Sequence, residues 1–142
     1  MPYPTNWSAS GKMVEKRRSG IHRWGMFATQ TIPKNKRIID YRGEEVSTQE
    51  CLRRERRHGK RGHIWCFRLS GRTAIDAAVG GNLARYINHS CRPNCYTQIA
   101  GGKIWIRAAR RIRRNEELTY DYHTNGEARI KCRCRAECQQ LL

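Results

Sequence analysis

A chain of 142 residues with 38% hydrophobic content can build one domain with a modest core, and it holds no apolar run near the ~18 residues that a membrane-spanning helix needs. Its 29 Lys and Arg against 12 Asp and Glu give a formal net charge of +17, a surface that either attracts polyanions and acidic proteins or stays solvated and self-repelling. The first residues, Met1-Pro2-Tyr3-Pro4-Thr5-Asn6-Trp7, lack the basic-then-apolar pattern of a secretory signal, so the seven cysteines read as thiols and metal ligands rather than disulfides, with an odd one unpaired.

Residues 1–15 carry two prolines and little periodicity and read as a lead-in. Residues 31–41 read as a turn followed by a strand. A similar cadence returns at 112–118. In both, an asparagine (Asn35, Asn115) stands where a turn can need positive φ, which reads as shared turn chemistry rather than a repeat. Ser47-Thr48-Gln49-Glu50 fits a capping box, so a helix follows and stops near Gly59. Residues 51–58 have almost no apolar stripe, which puts the helix on the surface. Its run from Arg53 to Arg61 is the densest basic stretch and the first candidate for contact with nucleic acid. From Ile64 the period becomes two, with Trp65, Phe67 and Leu69 on one face. Ser70-Gly71-Arg72 turns the chain into a short strand at 73–76, and 84–87 reads as a short helical turn after Gly80-Gly81-Asn82. Strands at 96–99 and 103–108 flank Ala100-Gly101-Gly102, a strong hairpin signal. Ile104, Ile106 and Ala108 face one way; Leu118, Tyr120 and Tyr122 share another face. The fold class is mostly β with few short helices.

Cys132, Cys134 and Cys138 are spaced C-x-C-x3-C. Three thiolates on one short loop leave one position open at a tetrahedral zinc. Cys91 fills it if its loop approaches, and Cys95 is the rival. Cys51, Cys66 and otherwise Cys95 read as small apolar residues.

Three segments then stand in a telling order. Gly81-Asn82-Leu83-Ala84-Arg85-Tyr86-Ile87-Asn88-His89-Ser90-Cys91-Arg92-Pro93-Asn94-Cys95 comes first, Glu117-Leu118-Thr119-Tyr120-Asp121-Tyr122 second, and the cysteine run last. Together they resemble the C-terminal half of a SET domain followed by a post-SET zinc clip. Upstream, Ser19-Gly20-Ile21-His22-Arg23-Trp24-Gly25-Met26-Phe27-Ala28 is similar to the first SET motif, with Gly25 as its second glycine and Arg23 where the first is expected. The resemblance covers residues 16–142, with the SET domain at 16–123 and the post-SET segment at 124–142, and reads as a stand-alone minimal form.

The resemblance implies a fold of several small sheets with a threaded-loop pseudoknot, in which residues 88–91 and 117–122 cross. It implies methyl transfer from S-adenosylmethionine to a protein lysine, and a structural Zn2+ on Cys91, Cys132, Cys134 and Cys138, the clip being one residue shorter than the usual C-x-C-x4-C. His22, Trp24 and Gly25 would line the methionine end of the cofactor, Asn88 and His89 would hold its amino-acid and adenine parts, and Trp65 would stand at the channel where many SET domains have Tyr. Tyr122 would be catalytic. Tyr120 would limit the room for product, favouring mono- and dimethylation, and Tyr41 would pack near the channel. An in-line displacement at the methyl needs a neutral amine and alignment, and an aromatic channel suits the lysine stem.

The expected substrate is a histone tail or another basic protein presenting a lysine, met by a rim made acidic by Glu44, Glu45, Glu116, Glu117, Asp121 or Glu127. The chain is expected to be a monomer and intracellular, cytoplasmic if bacterial and nuclear if eukaryotic. The alternative from another class is a non-catalytic, zinc-stabilised basic module that binds nucleic acid or chromatin.

Overall fold

The computed structural model describes residues 13–60, 64–123 and 131–142. Strands β1 (Val14–Arg18) and β2 (Trp24–Ala28) form an antiparallel hairpin in which Val14 faces Ala28, both buried. β1 therefore begins inside the expected lead-in. Its four consecutive charges, Glu15 to Arg18, hide the alternation that marks a strand.

A three-stranded antiparallel sheet follows the order β3 (Arg37–Asp40), β9 (Lys103–Ala108), β8 (Cys95–Ala100). The β8–β9 turn has positive φ at Gly101 (60°) and Gly102 (72°), as the favoured two-residue hairpin turn requires. Ile104, Ile106 and Ala108 turn inward, each no more than 1% exposed.

The second three-stranded sheet has the order β4 (Glu44–Ser47), β6 (Thr73–Asp76), β5 (Cys66–Arg68). Helix α1 (Thr48–Lys60) leaves β4 where Ser47 Oγ accepts from Glu50 N at 3.1 Å, half of the capping box. The Glu50 carboxylate turns forward to Arg54 Nε at 2.7 Å and to Arg53 instead of back to the cap. Arg54 also reaches Glu44 at 2.6 Å and Asp76 at 3.1 Å. Asp76 is 1% exposed and sits 3.4 Å from His58 Nε2. Burial pushes its carboxyl up, but the Ala78 amide and Arg54 outweigh this and bring it below the usual range. A buried carboxylate so paired anchors the helix to the sheet.

Cys51 and Cys66 are joined by a disulfide, with Cα atoms 6.1 Å apart. This corrects their reading as separate apolar residues. The first turn of α1 lies on β5, and the two side chains meet there. Cys95 is buried as expected, and burial pushes its thiol up to about 12.

A 3-10 turn (Leu83–Tyr86) is capped by Asn82, whose Oδ1 accepts from Ala84 N at 3.3 Å. The crossing of the two motif segments is present as a parallel pair, β7 (Asn88–His89) with β10 (Thr119–Tyr120). Asn94 braces it, donating to Glu117 O at 2.8 Å and accepting from Thr119 N at 2.9 Å.

The two Asn-bearing turns pack on each other about a local two-fold. Ile32 and Ile112 exchange backbone hydrogen bonds of 2.8 and 2.9 Å. Asn35 N donates to Ala108 O and Asn115 N to Ala28 O, both at 2.7 Å; Ala28 N donates to Glu116 O at 2.9 Å and Ala108 N to Lys36 O at 3.0 Å. Both asparagines have positive φ, 70° and 72°. The shared cadence is thus shared turn chemistry whose two copies bond to each other across the core, where Ile32 and Ile112 are fully buried.

Candidate active site

A first cavity of about 670 Å3 opens between the turn after β1, the 3-10 turn, β7 and the C-terminal segment. His22, Trp24, Trp65, Asn88, His89 and Tyr122 all line it. Asn88 is 8% exposed, and its Nδ2 donates to Trp24 O at 2.9 Å, Glu117 Oε2 at 2.8 Å and Ser19 Oγ at 3.2 Å. Ser19 Oγ donates to the Glu117 carboxylate at 2.8 Å. Asn88 therefore fixes the β1–β2 turn as a cavity wall. Ser19 lines the cavity and was not assigned from the sequence; Glu117, expected at an acidic rim, instead stands behind the wall and holds Ser19 and Asn88. Glu117 stood inside the second motif, and its carboxylate was the available signal.

Gly25 is not in the cavity lining. A Cβ there would overlap the Glu117 carboxylate, so the glycine leaves room for Glu117 to reach Asn88. Arg23, where a glycine is expected, takes a φ of 29° in a region that favours glycine. Its side chain is exposed, while its carbonyl accepts from Ser19 N at 3.0 Å.

His89 Nδ1 accepts from Tyr122 N at 3.0 Å, and its Nε2 lies 3.5 Å from Cys91 Sγ. Burial lowers its pKa against the pull of Asp121. The neutral ring thus carries its proton on Nε2, aimed at the Cys91 sulfur.

A second cavity of about 400 Å3 lies on the other side of Tyr122, lined by Tyr41, Phe67, Tyr120, Cys51, Cys66 and Glu55 among others. Tyr122 and Ile64 line both cavities. A chain of rings runs through it, with centroid separations of 5.4 Å for Tyr41–Phe67, 6.0 Å for Phe67–Tyr120 and 4.9 Å for Tyr120–Tyr122. Tyr122 OH donates to Ile87 O at 2.5 Å and Tyr41 OH to Trp65 O at 2.7 Å. Burial raises the pKa of Tyr41, Tyr120 and Tyr122, so all three phenols stay protonated. Among the acidic residues expected at the rim, Glu44 is paired with Arg54, Glu116 with Arg110, and Glu117 is engaged by Ser19 and Asn88. Glu127 lies outside the described residues. The carboxylate that lines the second cavity is Glu55, on the helix.

The sulfurs of Cys91, Cys132, Cys134 and Cys138 lie within 4.8 Å of one another. Cys91 is 3.8 Å from Cys132 and 3.8 Å from Cys138. A tetrahedron with Zn–S bonds of ~2.3 Å has edges of about 3.8 Å, so the four thiolates fit zinc, and Cys91 rather than Cys95 is the fourth member. Arg135 Nη1 reaches Cys134 Sγ at 3.3 Å, and His89 reaches Cys91. Such donors to a thiolate orient and stabilise a metal site. Cys132, with Lys131, Arg133 and Leu142, also forms one wall of the first cavity.

The comparisons with known proteins agree with this geometry. The SET domain family matches residues 23–123. The chain is 45% identical to a "Histone-lysine N-methyltransferase, H3 lysine-4 specific" of Chaetomium globosum, over 92% of this chain and 13% of that protein. It is 44% identical to a protein of the same description from Neurospora crassa, over 92% and 11%. It is 41% identical to "Histone-lysine N-methyltransferase set1" of Dictyostelium discoideum, over 92% and 9%. The chain thus spans about an eighth or less of the length of these relatives. With the family match covering most of the described strands and both cavities bounded by its motifs, the chain belongs to the SET domain family.

Proposed function

We propose that this chain is a protein-lysine N-methyltransferase that uses S-adenosylmethionine, with a SET domain at 16–123 and a zinc-bearing post-SET segment at 124–142. The observation that carries the reading is the pair of cavities meeting at Tyr122. The first has the volume of a small-molecule site, for which ~300–1,000 Å3 is usual, and holds His22, Trp24, Trp65, Asn88 and His89. The second is aromatic and suits a lysine stem.

When bound, S-adenosylmethionine supplies an electrophilic methyl on a sulfonium. The chain's residues align and select. Asn88 and His89 fix the floor of the donor cavity, and the β1–β2 turn forms its rim. Tyr41, Phe67 and Tyr120 desolvate the incoming lysine, which lowers an amine's pKa and favours the neutral nucleophile. Tyr122 is a positioning dipole at the junction and not a base, since burial keeps its phenol protonated. Methyl transfer by this arrangement rises with pH as the lysine loses its proton, and ionisation of Tyr41, Tyr120 and Tyr122, which burial raises above the ordinary tyrosine range, does not reverse that rise.

The relatives' names support a histone tail as substrate, and a histone substrate would put the chain in the nucleus. Glu55 gives the cationic tail a local counter-charge on a chain of net charge +17. The Tyr120 hydroxyl limits methyl number, so Tyr120→Phe is expected to shift products on a histone H3 tail peptide towards higher methylation by mass spectrometry. An unchanged distribution removes that role. Zinc on Cys91, Cys132, Cys134 and Cys138 holds the C-terminal wall of the donor cavity.

The first test is calorimetric titration of folded, zinc-loaded protein with S-adenosylmethionine and S-adenosylhomocysteine. Micromolar binding is expected. Absence of binding overturns the enzyme reading and leaves the non-catalytic module.

A further inference from the structure

We propose that the paired turns about the local two-fold form a binding surface for the phosphate backbone of duplex DNA, separate from both cavities. Each turn carries three exposed cations, Lys34, Lys36 and Arg37 on one and Arg111, Arg113 and Arg114 on the other. The reciprocal Ile32–Ile112 bonds and the Asn35 N to Ala108 O bond bring segments 80 residues apart in sequence into one face. None of the six lines either cavity.

The face keeps its charge. Its carboxylate, Glu116, is taken by Arg110 at 2.6 and 3.2 Å and by Arg113 N at 2.8 Å, a group outside the six and a backbone amide. Arg107 donates through Nε to Asn35 O at 3.0 Å and through Nη1 to Gln98 Oε1 at 2.7 Å, which stiffens the first turn. The rings that border the face, Trp105 and Tyr96, are capped by Arg37 at 4.8 Å and Arg107 at 5.9 Å.

The basic helix behaves differently. Two of its arginines, Arg53 and Arg54, are held by Glu50, Glu44 and Asp76, so the longest basic run in sequence spends part of its charge on its own acids. A rigid face rich in arginine forks suits phosphate, which pairs with guanidinium through two parallel hydrogen bonds. Its bordering rings, Trp105 and Tyr96, lie against guanidinium groups, so the face presents charge ahead of the apolar anchors that carry most protein–protein affinity. Duplex DNA, at one charge per ~1.7 Å of axis, is a dense and regular polyanion that matches such a face.

The test is fluorescence anisotropy of the full chain with a labelled duplex of arbitrary sequence across a salt series. Three proteins are compared: wild type, a turn variant (Arg111→Gln, Arg113→Gln, Arg114→Gln) and a helix variant that removes the same charge (Arg53→Gln, Arg56→Gln, Arg57→Gln). With a slope of about 0.9 per phosphate contact, the turn variant should lose about 2 to 3 from the slope of log K against log salt and at least about tenfold in affinity near 0.1 M salt. The helix variant should stay within about twofold of wild type by the same arithmetic. The first-turn variant (Lys34→Gln, Lys36→Gln, Arg37→Gln) should repeat the loss, which guards against a folding artefact in the other; thermal melts identify any such artefact. Equal losses in turn and helix variants mean bulk charge and overturn the proposal. So does binding by the turn variants that matches wild type. Displacement of duplex by polyglutamate at equal charge concentration also overturns it, in favour of an acidic protein partner.

Discussion

The four-cysteine cluster and the Cys51–Cys66 disulfide both use sulfur to hold a cavity wall, yet they hold walls of different kinds. The cluster draws residues 131–142 against β7. Among the described residues that segment has little else to fix it: a bridge from Lys131 to Leu141 and bonds from Cys132 N to Gln140 O at 3.0 Å and from Cys138 N to Arg135 O at 3.2 Å. Its buried residues are Cys132 and Cys138 themselves. The disulfide borders the second cavity and joins α1 to β5, but α1 is already tied to the sheet by Arg54, Glu44 and Asp76. A staple matters most where nothing else does its work. The metal should therefore dominate the first cavity and the disulfide should only reinforce the second.

The largest expected effect follows for the metal. Structural zinc in such sites contributes on the order of 10 kcal/mol to the fold it closes. Chelation, or Cys132→Ser, should weaken S-adenosylhomocysteine binding by more than about tenfold (about 1.4 kcal/mol), because the C-terminal wall of the cavity is lost. The remaining sheets should keep their melting transition. An affinity indifferent to chelator would break the comparison at its strong end.

On the other side, the ion pair should outweigh the covalent bond. Asp76→Ala removes the buried carboxylate that Arg54, His58 and the Ala78 amide share, although Glu44 and Glu50 still pair Arg54, and its cost in denaturant unfolding should exceed that of losing the disulfide. Reduction, or Cys51→Ser with Cys66→Ser, should cost at most about 3 kcal/mol, the loop-closure value for a bond across some 15 residues; the separation here is 15. Should the order reverse, the helix is held by the disulfide and the network around Asp76 is incidental.

The legible parts of this molecule were those where residue identity and spacing alone fix geometry. C-x-C-x3-C with Cys91 came together as read, and Asn88, His89 and Tyr122 line one cavity. Gly101-Gly102 made its hairpin because both residues take positive φ. What escaped depends on tertiary meeting. Cys51 and Cys66 belong to a helix and a strand whose packing no local pattern announces. Asp76 looked like the polar end of a short strand until Arg54 and His58 closed over it. Gly25 matched a motif glycine, yet its missing side chain serves Glu117 and not the cavity lining. The basic run at 53–61 was the brightest charge signal in sequence, and helical i,i+3 and i,i+4 partners together with Asp76 pair two of its arginines, of which Arg54 is drawn inward and Arg53 stays exposed. Two turns 80 residues apart gather six exposed cations, which a linear reading had kept separate.

The local two-fold uses neither a disulfide nor a cysteine cluster among the described residues, and it should show the smallest effect. Reciprocal peptide hydrogen bonds and buried Ile32 and Ile112 hold it, and the Arg110–Glu116 pair sits on its surface. The Arg110 guanidinium, assisted by the Arg113 amide, brings the Glu116 carboxyl down to about 2 from an ordinary 4.5. A carboxylate depressed on folding stabilises the native state fully above its unfolded pKa, and that stabilisation is lost as pH falls from about 4.5 towards 2. Because Arg110 is 56% exposed, solvent screening cuts the contribution to about 1 kcal/mol. Glu116→Gln should therefore unfold about 1 kcal/mol more easily than wild type at pH 7, with the gap closing as pH falls below 4.5. A gap that persists unchanged at pH 2.5 would assign the loss to the turn's backbone contacts instead of its charge. A gap as large as the disulfide's would mean that the two-fold, too, depends on a single side-chain staple.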